Sequence, residues 1–144
     1  MSTPASTIHS RIAATVEAVA TWRESRWAGG VFGSDPQPEM HHSFAVEVTA
    51  TDIDNSNQRQ RLSEPAVCES TVEVRWAHRL KVGDQVGDYR DALDAEADVY
   101  KAIMAASKSG GMRTLLVRLA RDTRTQGWVL GTATFRIIHQ IPLQ

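Results

Sequence analysis

Two spacings of hydrophobic residues alternate along the chain. In "IHSRIAATVEAVATW", Ile8, Ile12, Val16 and Val19 recur every three or four residues, the period that lines one face of an α-helix. The spacing predicts an amphipathic helix over residues 7–25, capped by Thr7, with Trp22 extending its dry face. Gly29 and Gly30 end it, and "GSDPQPE" forbids regular structure over residues 33–39. "HSFAVEVTA" then switches to a period of two. Phe44, Val46 and Val48 share one face of a predicted strand, and Ala45 and Glu47 share the other.

Residues 52–65, "DIDNSNQRQRLSEP", are polar and have no periodicity, which predicts a long loop of the kind that carries function or moves. Alternation returns in "VCESTVEVRWAHRLKV", with Val72, Val74, Trp76, His78 and Leu80 opposite Thr71, Glu73, Arg75, Ala77 and Arg79. Two further strands are predicted in "MRTLLVRLA" and "GWVLGTATFRIIHQI", joined through "RDTRTQ". With a second helix over residues 88–106, the order is α-β-β-α-β-β. Strands that can pair with their sequence neighbours favour a mostly antiparallel, twisted sheet with both helices on one face. The expected fold is a single α+β domain over residues 1–144, with a flexible N-terminus over 1–7 and the polar loop 52–65. The other sheet face is expected to be partly wet or covered by another subunit.

The stretch "GDYRDALDAEADVYKAIM" is the most acidic part of the chain. On a helix, Tyr89, Ala92, Leu93, Val99, Tyr100 and Ile103 fall on or near one stripe, while Asp91, Asp94 and Asp98 point away. Asp88, near the helix start, favours the macrodipole. Glu96 breaks this pattern, because it lies inside the apolar stripe. A buried, unpaired carboxylate is costly, so Glu96 is expected to find a partner on the sheet or on another subunit, with Arg75 or Arg79 as candidates. The expected packing residues are Ile12, Val16, Val46, Trp76, Leu93, Tyr100 and Ile103. A magnesium reading of Asp84, Asp88 and Asp91 is weaker than the helical one, and no calcium-loop spacing is present.

Composition narrows the function classes. Hydrophobic residues make up 42% and charged residues 23% of 144, which is an ordinary globular balance. A net charge of -1, from 16 basic and 17 acidic groups, gives no global attraction to nucleic acid or anionic lipid. No run approaches the ~20 apolar residues of a membrane span, and no secretory signal is expected from "MSTPASTIHS". A single cysteine, Cys68, excludes an internal disulfide and a thiolate cluster. His41 and His42 are adjacent, so on a strand they would point to opposite faces. No HExxH, GxSxG or phosphate-loop spacing occurs. No enzyme activity, cofactor or metal is therefore expected. Arg59, Arg61, Arg75, Arg79, Arg121 and Arg124, with Glu96, are the candidate interface residues. The four tryptophans also suit self-association.

The sequence of an N-terminal amphipathic helix, the "HSFAVEV" strand, a polar loop, "STVEVRWAHRL", "DYRDALDAEADVYKAIM" and a terminal hairpin resembles the tail terminator proteins of long-tailed bacteriophages. The resemblance is architectural and spans about Ile8 to Ile141. It implies a homohexameric ring that caps the tail tube, stops its polymerisation and presents a surface for joining the head. The implied partners are copies of the chain, the tail tube protein and a head-completion or connector protein. DNA would pass through the lumen without sequence-specific binding, and no cofactor or membrane would be involved. The implied location is the head-proximal end of the virion tail, after assembly in the host cytoplasm. The alternatives are another phage neck or tail-completion protein, or a small non-catalytic adaptor or ligand-binding domain.

Overall fold

A computed structural model describes residues 3–25, 40–53, 66–81, 83–107 and 112–142. The first helix, α1, runs over Ala5–Glu17, with Ile8, Ile12, Ala13 and Val16 buried. It starts and stops earlier than the periodicity predicts. Pro4, not Thr7, is the N-cap, and it makes no side-chain capping bond. Its φ of -67° is set by the ring and leads directly into a helix. Residues 3–7 are not a loose end: Thr3 is buried and its N–H donates to the Gln140 carbonyl at 2.5 Å. Beyond Glu17, the Val19 and Trp22 amides turn back onto the Val16 and Val19 carbonyls, and Thr21 adopts a φ of 76°. A residue in that left-handed region cannot continue a right-handed helix. Trp22 is nevertheless buried, outside the helix that was expected to carry it.

After the turn, Arg23–Glu24 form a short strand, β1, parallel to Ser43–Phe44. Two residues carry no readable period, so periodicity does not reveal this strand. The remaining elements are β2 (Ser43–Ile53), β3 (Ala66–Arg79), α2 (Gln85–Ala106), β4 (Arg113–Asp122) and β5 (Trp128–Ile141). Asp52 and Ile53, expected in the polar loop, belong to β2. The rest of that loop, with Arg59 and Arg61, lies outside the described residues, as does Trp27.

The strands form one sheet in the order β1-β2-β3-β5-β4, and every pairing except β1 with β2 is antiparallel. The chain is a single α+β domain with a twisted sheet and two helices packed on one face. Alternation selects that face. Phe44, Val46, Val72, Val74, Trp76, Val129, Phe135 and Ile137 are buried beneath the helices with Ile8, Ile12 and Val16. Trp76 lies across from Gly131 in the β3–β5 register, and a Cβ at Gly131 would run into its indole. Glycine is needed there for close approach, not for its φ. On the opposite face a smaller cluster joins Ala77, Trp128, Met40 and Leu130.

The acidic stretch is a helix. Asp84 caps it by accepting the Gly87 N–H at 3.0 Å, and Asp88 in the first turn accepts the Lys81 N–H at 2.5 Å. Two of the three carboxylates of the magnesium reading are therefore engaged with backbone donors. The buried line of α2 is Ala92, Glu96, Val99 and Ile103, with Tyr89 and Tyr100 packed against it. Leu93, expected in the core, is half-buried and outside it. A helix turns about 100° per residue, so a line centred on Ala92 and Glu96 carries Leu93 round to the flank.

Candidate functional site

Of the candidate interface residues, Arg59 and Arg61 lie outside the described residues, and Glu96 and Arg121 are the two described ones that meet. Glu96 is 2% exposed, and its partner is Arg121, not Arg75 or Arg79. The Arg121 Nε donates to both Glu96 oxygens at 3.1 Å, and a terminal nitrogen donates at 2.5 Å. The two-pronged contact raises the Arg121 pKa, chiefly through the hydrogen bonds to Glu96. A β-bulge between Leu116 and Arg118 makes this pairing possible, because it shifts the register so that Arg121 lies opposite Gly131 on the helix-covered face. Arg75 lies on the other face, 2.9 Å from Glu73 and 3.7 Å from Glu47. Arg79 ends β3 and is exposed. Arg124 sits on the hairpin against Asp122 at 2.9 Å, and its hydrogen bonds hold that exposed carboxyl down to about 2.

The sheet edges differ in charge. β4 is an edge strand of 10 residues that, among the described residues, pairs only with β5, and it leaves Leu115 and Val117 each 48% exposed. It carries Arg113, Arg118 and Arg121 against one acid, Asp122. On the far side, residues 45–53 of β2 pair only with β3 among the described residues. That stretch carries Glu47 and Asp52 and no basic residue. Both edges are bent by a β-bulge, between Leu116 and Arg118 in β4 and between Val48 and Ala50 in β2, and the apolar side chains that β4 exposes beside its bulge are a surface for contact with another chain.

Two groups of polar side chains sit at opposite ends of β3. At its start, His139 joins Cys68, Ser70 and Thr3. The Thr3 carbonyl can only accept, so His139 Nδ1 donates to it at 2.7 Å, which leaves Nε2 to meet the Ser70 hydroxyl at 2.7 Å and Cys68 Sγ at 3.3 Å. A serine or cysteine beside an oriented imidazole has the outline of a nucleophile and its base. Access decides against that reading: Ser70 is 0%, Cys68 1% and His139 3% exposed, and burial pushes the Cys68 thiol up, away from the reactive thiolate. The arrangement instead fastens the N-terminal residues to the sheet.

At the other end of β3, His41, His42 and His78 form the group that sequence reasoning missed. Strand geometry would separate the rings of His41 and His42. They precede β2 in a turn instead, and His42 has a φ of 58°. Their rings stack with centroids 4.0 Å apart, and His78 from the covered face of β3 approaches to 4.7 Å and 5.0 Å. Trp22 closes the far side of His42 as a parallel layer at 4.4 Å. His42 Nε2 and His78 Nδ1 are 2.9 Å apart, His42 Nδ1 meets Thr21 Oγ1 at 2.6 Å, and the Arg79 N–H donates to His41 Nδ1 at 2.9 Å. Burial and the neighbouring imidazoles push His42 down to about 4, and burial, then His41, does the same for His78. Burial lowers His41 too, assisted by Lys81, Arg23 and Arg79. The group is therefore neutral near pH 7. Trp22 was read as an extension of the helical dry face, and nothing periodic in the sequence marks the turn at Thr21 that brings it to the histidines.

An apolar pocket of about 280 Å³ lies between α1, the end of α2 and the start of β4, lined by residues including Ile12, Ile103, Met112 and Ile137. It is just below the ~300 Å³ at which small-molecule sites begin. No protein-family description matches the chain, and no curated protein matches it.

Proposed function

We propose that the chain is a non-catalytic assembly protein, a tail terminator whose copies join head to tail into a ring that caps a phage tail tube. The observation that carries this reading is the pair of unlike sheet edges. β4 presents arginines and exposed Leu115 and Val117, whereas residues 45–53 of β2, whose outer edge has no strand partner among the described residues, carry Glu47 and Asp52. A second copy of this chain is the occupant that fits, because the basic edge of one copy meets the acidic edge of the next. Such a contact is heterologous, and rotation that closes on itself gives a ring. The architectural resemblance supplies the six-fold count, the tube and head-completion partners and the passage of DNA. The ring contact adds many weak interactions together, so no single one needs to be strong.

Light scattering and negative-stain imaging of the purified chain test the contact. The expected species is a closed six-fold ring. The double variant Arg113→Asp/Arg118→Asp should be folded but monomeric, and adding Glu47→Arg/Asp52→Arg should restore assembly by exchanging the charges. A monomer at all concentrations rejects ring formation. A phage complementation assay tests the tail role separately. Without the protein, tails should vary in length or fail to join heads, and normal tails joined to heads in its absence would end the terminator reading.

A further inference from the structure

We infer that His41, His42 and His78 form a site for a divalent transition metal ion of the zinc type, bound by three imidazoles with one position left for water. The candidate nitrogens of these three residues lie within 4.8 Å of one another. Three histidines and an open position are a recurrent zinc arrangement, and imidazole also suits copper and nickel.

The existing contacts show what binding requires. His42 Nε2 and His78 Nδ1 already face each other at 2.9 Å. Only one proton fits between them in a hydrogen bond. A tetrahedral ion with Zn–N bonds of about 2.0–2.1 Å holds two nitrogens about 3.3 Å apart. The rings thus need to part by only about 0.4 Å, and the ring that carries the shared proton changes tautomer, giving that proton to water and taking one up on its far nitrogen, so that both rings ligate as neutral imidazoles. When Nε2 of His42 ligates, its Nδ1–H is free to donate to Thr21 Oγ1, now 2.6 Å away. This is the outer contact that fixes tautomer and ring orientation at metal sites. The stack with Trp22 holds the same ring from its other face.

His41 is the adjustable ligand. Its Nδ1 accepts the Arg79 N–H, and a neutral imidazole that ligates through either nitrogen must release that amide. Ligation through Nδ1 uses the lone pair, and ligation through Nε2 requires the proton on Nδ1. His41 sits half-exposed in a turn, where the ring can swing. The charges around the group are mixed: Asp88 and Asp91 act on His78 as anions, while Lys81, Arg23 and Arg79 oppose a cation. The ion would link the turn before β2 to the end of β3, beside the start of α2. This inference does not depend on ring formation.

The test uses the full chain, stripped with a chelator and titrated with zinc chloride. One zinc per chain should bind, and the melting temperature should rise. In histidine side-chain NMR, the imidazole nitrogens of His41, His42 and His78 should shift on zinc addition, while those of His9 and His139 stay in place. His41→Ala and His78→Gln should each weaken zinc binding at least tenfold, the range seen when metal-site contacts are lost. Cobalt(II) should give the intense visible absorption of a tetrahedral site in the wild type and lose it in both variants. The absence of saturable one-to-one binding, or shifts centred on His9 or His139, would overturn the inference. Because the NMR readout is made on the unaltered chain, misfolding of a variant does not weaken the test.

Discussion

The two ends of β3 hold histidines under opposite conditions. At the start of the strand, both nitrogens of His139 have protein partners in the Thr3 carbonyl and the Ser70 hydroxyl, and the ring is 3% exposed. At its end, His41, His42 and His78 face chiefly one another, and His41 and His42 are only half-buried. The first group is closed: its ring nitrogens both have protein partners and its side chains are almost wholly buried. The second is open, since a hydrogen bond between two imidazoles can be exchanged for an ion. A nucleophile-like pairing of Ser70 with His139 is thus structural, while a pair of adjacent histidines in a turn is available for chemistry. Accessibility and unfinished coordination separate the two, not residue type.

The largest expected effect falls on the closed end. His139→Ala should cost about 3 kcal/mol in urea unfolding, because it leaves a cavity and a buried Ser70 hydroxyl without its ring partner. A loss under about 1 kcal/mol would show that this end is not closed at all. The Glu96–Arg121 pair extends the comparison to a charged group. Arg121→Met strands a buried carboxylate, for which full burial of both partners would cost about 3–5 kcal/mol. Arg121 is about a third exposed, at 33%, so water reaches its position and the expected cost falls to about 2 kcal/mol.

Acid should separate the ends next. His42 and His78 have folded values near 4, below the 6.5 of an unperturbed histidine. As the pH falls, the unfolded chain takes up protons first. The contribution of these rings is therefore complete above about pH 6.5 and is lost progressively toward about pH 4. Lys81 sharpens the loss at His78 by repelling the charged ring, and Asp88 and Asp91 oppose it. In chelator-treated protein the melting temperature should drop across this window, and His78→Gln should flatten the drop. An equal pH slope in the variant would mean that other groups cause it. The smallest effect is expected for His41→Ala without metal. The ring is half-exposed and accepts one backbone N–H, so urea melts should show a cost under about 1 kcal/mol.

The covered face of the sheet was legible in the sequence because burial follows a period of two. Val46, Val72, Val74 and Trp76 announce it, and Ile8, Ile12 and Val16 announce the helix above them. The acidic stretch was legible as a helix because its apolar residues recur every three or four positions, and so was the misfit of Glu96 within it. Its partner was not legible. Alternation counted along β4 ignores the bulge at Leu116/Arg118, and only that bulge turns Arg121 toward α2. Leu93 was misplaced because hydrophobicity marks a broad stripe, whereas packing selects its centre, Ala92–Glu96–Val99–Ile103.

Local sequence acts through the backbone near it, so it fixed the periodic elements, the cap at Asp84 and the stop forced on strands by turns. It could not fix contacts between residues distant along the chain. His42 and His78 are 36 positions apart, and Glu96 and Arg121 are 25 apart. Such pairs depend on register, on a single bulge and on the left-handed turns at Thr21 and His42. None of these has a periodic signature, because each is held by the surrounding packing and not by the preference of its own residues. Tertiary structure therefore decided which buried carboxylate found its arginine, and which histidines came together in a group that can hold an ion.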